Sequence, residues 1–122
     1  MKPIQIVTDF CNAVPRRNVD ELVGFFSADA VYHNIPIAPV QGRDAIAATL
    51  RGFLDPSTEA EFEVRAIAGE GRTVLTERID RFTINGKQIA LPVMGTFEID
   101  EQGKISAWRD YFDLAQFTKQ MS

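Results

Sequence analysis

Thr73-Val74-Leu75-Thr76-Glu77-Arg78-Ile79-Asp80-Arg81-Phe82-Thr83-Ile84 reads as a β-strand. Side chains on a strand alternate between faces, so Val74, Thr76, Arg78, Asp80 and Phe82 share one of them. An arginine and an aspartate flanked by apolar neighbours on one face admit two readings. The face is solvated and the pair is a surface salt bridge, the usual fate of charged strand residues. Otherwise the face looks into the core and two charges are carried inward, which is costly unless they are paired.

A second strand, Ser106-Ala107-Trp108-Arg109-Asp110-Tyr111-Phe112, bears on that choice. One face carries Ser106, Trp108, Asp110 and Phe112; the other carries Ala107, Arg109 and Tyr111. Trp108 is the single tryptophan of the chain. With Phe112 it would bury a large apolar area, so its face is the better candidate for the interior. Asp110 is then a second inward carboxylate. The planar guanidinium of Arg78, with five N–H donors, can bridge two carboxylates. Asp80 and Asp110 are therefore acid/base candidates, because neighbouring carboxylates drive their pKa values apart. The competing reading is an inter-strand ion pair that only fixes register.

Bulk composition narrows the function classes. The chain has 122 residues, 45% hydrophobic and 25% charged, which fits one soluble domain over residues 1–122. The net charge of −4 gives nucleic acid no electrostatic support. Cys11 is the only cysteine, so no internal disulfide forms, in keeping with a reducing, cytoplasmic setting. The N-terminal residues lack the apolar run of a signal peptide, and Ile89–Met94 is far too short to span a membrane.

In chain order, Pro3 opens a helix whose stripe is Ile4, Val7, Cys11 and Val14, and Pro15 ends it. Asn18 to Glu21 has capping-box spacing and predicts a helix over Val19–Phe26, followed by a link at Ser27–Asp29. Val31–Asn34 reads as a short strand, and Ile35–Pro39 as a loop walling a pocket, because proline removes ladder donors. A helix is expected over Ala45–Leu54, with Ile46, Leu50 and Phe53 along one side. Strands follow: Phe62, Val64 and Ala66 alternate with charged residues, and Gly69–Gly71 turns into Thr73–Ile84. Asn85-Gly86 is a hairpin signal. Lys87–Ile99 carries Pro92 and Gly95, which suggest a bulge or bend. Asp113–Gln120 reads as a short helix. Helices first and an antiparallel meander last indicate an α+β fold, with helices packed on one face of a strongly curved sheet around an apolar hollow.

Tyr32 and Asn34 share a strand face. With a carboxylate they could hold one water by three hydrogen bonds; the competing reading, favoured when these two residues are taken alone, is a half-buried core aromatic at Tyr32 and a strand-end turn residue at Asn34. His33 faces away from both and has no second histidine for a metal site. Cys11 lies on an apolar stripe and reads as core packing. No glycine-rich phosphate loop is present.

Tyr32-His33-Asn34-Ile35-Pro36 followed by Gly42-Arg43-Asp44-Ala45, then Leu75-Thr76-Glu77-Arg78-Ile79-Asp80, then Gly103-Lys104-Ile105 running into Trp108-Arg109-Asp110-Tyr111-Phe112-Asp113, resemble the limonene-1,2-epoxide hydrolases in identity and order. The resemblance implies a mixed, largely antiparallel sheet forming a cone-shaped, cystatin-like α+β barrel, of the nuclear-transport-factor and ketosteroid isomerase type, with helices on the concave face, usually dimeric. It implies a cofactor-independent and metal-free epoxide hydrolase that turns a lipophilic epoxide, cyclic or terpene-like among the candidates, into a vicinal diol. Carried over by position, Asp110 is the general base, Asp80 the general acid and Arg78 the bridge between them, while Tyr32 and Asn34 hold the water. Phe82, Leu91, Val93 and Phe112 are the expected substrate walls. The expected partners are the epoxide, water and a second copy of the chain. The alternatives on the same fold are an isomerase or cyclase with one Asp base, and a non-catalytic module binding a hydrophobic ligand.

Overall fold

The computed structural model describes residues 1–122. The first third of the chain contains α1 (Pro3–Ala13), a 3-10 turn (Val14–Arg16), α2 (Val19–Val23), β1 (Phe26–Asn34), β2 (Val40–Gln41) and α3 (Arg43–Leu54). The meander follows as β3 (Ser57–Glu70), β4 (Thr73–Ile84), β5 (Lys87–Ile99) and β6 (Ile105–Tyr111), and α4 (Leu114–Met121) closes the chain. The six strands form one sheet in the order β2-β1-β6-β5-β4-β3. All neighbours are antiparallel except β1 and β6, which run parallel. The fold is the expected α+β class with a mixed sheet.

The sheet does not close into a barrel. β2 and β3 are its two edges, and α3 packs against both of them and against β1, covering the gap. Curvature comes from register shifts in β1, at two places in β3, and between β5 and β6. No bulge interrupts the β4–β5 pairing at Pro92 or Gly95: the two strands pair residue for residue from Thr73↔Glu98 to Ile84↔Lys87. Pro92 lies beyond the last β5–β6 pair, Met94↔Tyr111, so β5 has β4 alone beside it there and the proline interrupts no ladder with β6.

The period of two carries β4 as expected: Val74, Thr76, Arg78, Asp80, Phe82 and Ile84 are all buried. In β6 the phase slips at Ser106, where two residues face one on β5, so Ile105 rather than Ser106 joins Trp108 and Asp110 inside. In β3, Ala60 and Phe62 are buried; Val64 is exposed although still in register with Arg78, and Ala66, beyond the register shift, is exposed too. At the tip that follows, β3 runs through Glu70, so the turn is Gly71-Arg72 rather than Gly69–Gly71.

The helices depart from expectation in two places. Asn18 does cap α2, its Oδ1 accepting from the Glu21 N–H at 3.1 Å, but the Glu21 carboxylate turns to Arg16 instead of closing the box. α2 stops at Val23, and Phe26 opens β1 by pairing in parallel with Ile105, which absorbs the supposed link Ser27–Asp29 into the strand. On α1 the buried stripe includes Ile6 and Phe10, while Ile4 is exposed. Asn85 and Gly86 both have positive φ, 52° and 77°, the turn that matches strand twist in a two-residue hairpin. No helix is long and apolar enough to cross a membrane.

Phe10 is the hub between helix and sheet. Its ring sits edge-on to Phe25, Phe26, Phe62, Phe97 and Trp108 at centroid distances of 5.2–6.4 Å. Phe10→Ala should lower the unfolding free energy by about 3–5 kcal/mol, measured by urea denaturation, because the cavity left is walled by rigid rings.

Candidate active site

The inner face of β4 positions Arg78 and Asp80, and β6 positions Asp110. Their exposures are 0%, 4% and 3%, so the inward reading holds for all three. Arg78 Nε donates to Asp80 Oδ1 at 2.9 Å, and Nη2 donates to Asp80 Oδ2 at 2.9 Å. Nη2 also donates to Asp110 Oδ2 at 2.8 Å, and Nη1 to Asp110 Oδ1 at 3.2 Å. The cation thus bridges both carboxylates through paired contacts. Its charge also lies over the Phe62 ring, 4.6 Å from the centroid.

The two carboxylates differ in support. Asp110 receives a third donor, the Trp108 indole N–H, at 2.6 Å. Asp80 has only the two from Arg78. Burial lifts the Asp80 carboxyl from an ordinary 3.8 to about 6, against the pull of Arg78 and with a further push from Asp110. Burial, and then the Asp110 charge, push the Tyr32 phenol well above its usual range, so it keeps its proton and can donate. Arg78 stays charged: burial works against it, but the two carboxylates more than offset that.

Tyr32 and Asn34 come from β1, whose parallel pairing sets Tyr32 beside Trp108 and Asn34 beside Asp110. The Tyr32 ring stacks on Trp108 at 4.0 Å and 6°. Tyr32, Asn34, Asp80 and Asp110 form the polar end of a cavity of about 280 Å³. Its walls include every expected substrate residue, Phe82, Leu91, Val93 and Phe112. Ile37, from the proline-interrupted loop, is also there. Arg78 does not reach the cavity surface but lies behind the carboxylates.

The sequence reading missed Phe53, Phe62, Leu114 and Phe117 as walls. The inward phase of Phe62 in β3 was a usable signal; Leu114 and Phe117 depend on how α4 docks. Asp113 caps α4 by accepting from the Ala115 and Gln116 N–H groups. Gln120 then holds the helix to β5, exchanging both its amide groups with the backbone of Ala90 at 2.8 and 2.9 Å. The Trp108 N–H was likewise read only as bulk, although its spacing of two from Asp110 puts both on one strand face.

Comparison with known structures places this fold among the cone-shaped α+β proteins. A SnoaL-like protein from Shewanella denitrificans superposes with a TM-score of 0.87 at 17% identity, covering 98% of this chain and 96% of that one. A protein of ketosteroid isomerase-like fold from Catenulispora acidiphila gives 0.85 at 22% identity, covering 98% and 93%. At that identity the likeness shows architecture alone. Sequence takes the assignment further. The family model for the limonene-1,2-epoxide hydrolase catalytic domain matches residues 1–122, and the chain belongs to that family of epoxide-hydrolysing enzymes. The epoxide hydrolase EphG of Mycobacterium tuberculosis is 33% identical over 113 residues, 93% of this chain and 74% of that protein. An M. tuberculosis LEH-like epoxide hydrolase structure has a TM-score of 0.84 at 32% identity, covering 97% of this chain and 87% of that one.

A carboxyl whose pKa rises on folding binds its proton more tightly in the native state than in the unfolded one. Its stabilising contribution is complete below 3.8 and is lost as pH rises through about 6. Native stability should therefore decline across that window, and Asp80→Asn should flatten the decline, as read from urea midpoints at stepped pH.

Proposed function

We propose that the protein hydrolyses a lipophilic epoxide to a vicinal diol in one step, using only its own side chains and water. Asp110, which accepts from three donors, takes a proton from a water held by the Tyr32 hydroxyl and the Asn34 amide. The water oxygen forms a bond to one epoxide carbon while the C–O bond at that carbon breaks. The leaving oxygen takes the proton of Asp80. Transfer of a proton from Asp110 back to Asp80 resets the site, so one water is consumed for each diol. Ring strain in the epoxide removes the need for a covalent nucleophile.

The observation that carries this reading is the difference in support between two carboxylates on one cation. Burial lifts the Asp80 carboxyl to about 6, into the range of a general acid, while Asp110 accepts the additional indole N–H. The apolar walls exclude bulk water and favour a neutral, greasy substrate. Phe82, Leu91, Val93 and Phe112 would contact the substrate's hydrocarbon part. Arg78, sealed behind the pair, orients both carboxylates; a proton shuttle with a single Asp base has no task for it.

We further infer a homodimer in a reducing, cytoplasmic setting. Half-exposed Leu75, Met94 and Tyr111 cluster on the outer face of the sheet, where Met94 pairs with Tyr111, and the lone Cys11 is buried. Sedimentation at micromolar concentration should give a mass of two chains.

Incubation with limonene oxide, cyclohexene oxide and acyclic epoxides in ¹⁸O-water should yield diol carrying one labelled oxygen. Asp80→Asn and Asp110→Asn should each lower kcat by about 10²–10⁴-fold. Absence of diol across the panel, or full turnover in either variant, would refute the mechanism.

A further inference from the structure

The five N–H groups of Arg78 have five acceptor contacts, and one of these lies outside the carboxylate pair. Nη1 donates to the Thr76 hydroxyl at 3.0 Å, and that hydroxyl donates to the Gly95 carbonyl at 3.3 Å. Thr76 is buried, so the hydroxyl has no water to replace the cation. Thr76 pairs with Gly95 across β4 and β5, and Gly95 pairs with Asp110 across β5 and β6. The three form one row across the sheet. Neighbouring strands lie about 4.8 Å apart, so β4 and β6 are separated by the whole width of β5. Arg78 must lay its guanidinium over β5 to reach Asp110.

Gly95 is where it crosses. A Cβ at this position would stand 2.5 Å from Asp110 Oδ1, closer still to Arg78 Nη1, and 3.1 Å from Thr76 Oγ1, the first two inside any real Cβ contact distance. φ is not positive here, so the glycine is required by volume and not by backbone conformation.

We propose that Thr76 and Gly95 are positioning residues for the carboxylate pair, an inference that deepens the acid–base reading above and rests on it for its kinetic test. The Thr76 hydroxyl takes the fifth guanidinium N–H, and the bare Cα of Gly95 leaves the channel through which Arg78 reaches Asp110. Neither residue touches the substrate cavity. Their effect passes through Arg78, which sets how the pair divides its proton. The titratable groups around the pair are Arg78, Tyr32 of β1 and Cys11 of α1, whose thiol burial pushes up to about 12.

The test uses Thr76→Val, which keeps the shape and removes the acceptor, Thr76→Ser, which restores it, and Gly95→Ala. Titration of ¹³Cγ-labelled aspartates by NMR should show the pair moving upward by about half a unit or more in Thr76→Val and in Gly95→Ala, and returning to wild type in Thr76→Ser. On an epoxide that the wild type turns over, kcat should fall on the order of 10- to 100-fold with KM within about twofold, again recovered by serine. Wild-type titration in Thr76→Val, or a serine variant as impaired as valine, would overturn the proposal. A wild type inactive on every epoxide refutes the hydrolase reading alone, since the NMR titration still decides the role of these two residues.

Discussion

A guanidinium buried among aromatic rings is tolerated only if each of its five N–H groups finds an acceptor, because an unmatched buried donor costs about 1–3 kcal/mol or more. Arg78 meets that condition with two aspartates and one threonine, and the requirement propagates outward. Asp110 must lie on the neighbouring face of β6, so β6 must be in register with β5; β5 must be bare at Gly95; and the rings of Phe62 and Phe97 must flank the cation. Most of the inner face of the sheet follows from satisfying one side chain.

Around this polar knot the core is aromatic. Tyr32, Trp108 and Phe97 stack in sequence, and Phe10 closes the stack from α1. Trp108 serves both sides: its ring system fills the core, and its N–H gives Asp110 the donor that Asp80 lacks. The asymmetry between two chemically identical carboxylates thus arises from packing, since the indole nitrogen points where the ring can fit. A network of this kind, with its buried polar atoms paired, holds one arrangement and resists alternatives.

Period-two alternation made the inward face of β4 legible from sequence, and the apolar bulk of Trp108 and Phe112 placed Asp110 correctly beside it. Turn chemistry at Asn85-Gly86 and the cap at Asn18 were also readable, because both act within a few residues. What escaped was set across strands. The slip at Ser106 exists only relative to β5, and the start of β1 at Phe26 depends on Ile105, far along the chain. Gly95 reads in the sequence as a bulge or bend, whereas its bareness answers to volume supplied by Arg78, Asp110 and Thr76. The roles of Leu114 and Phe117 needed the docking of α4.

That last helix has no fully buried residue, yet it furnishes part of the wall facing the cavity. Phe117 and Met121 pack against the core, and at the far end Gln120 bonds to the backbone of Ala90 and Lys87 to the carbonyl of Met121. Anchorage through main-chain atoms at one end places little demand on which side chains line the inner surface. Leu114, exposed and outside the core cluster, can therefore be exchanged with small loss of core stability, so the outline of the binding space can be altered there without disturbing the charged centre.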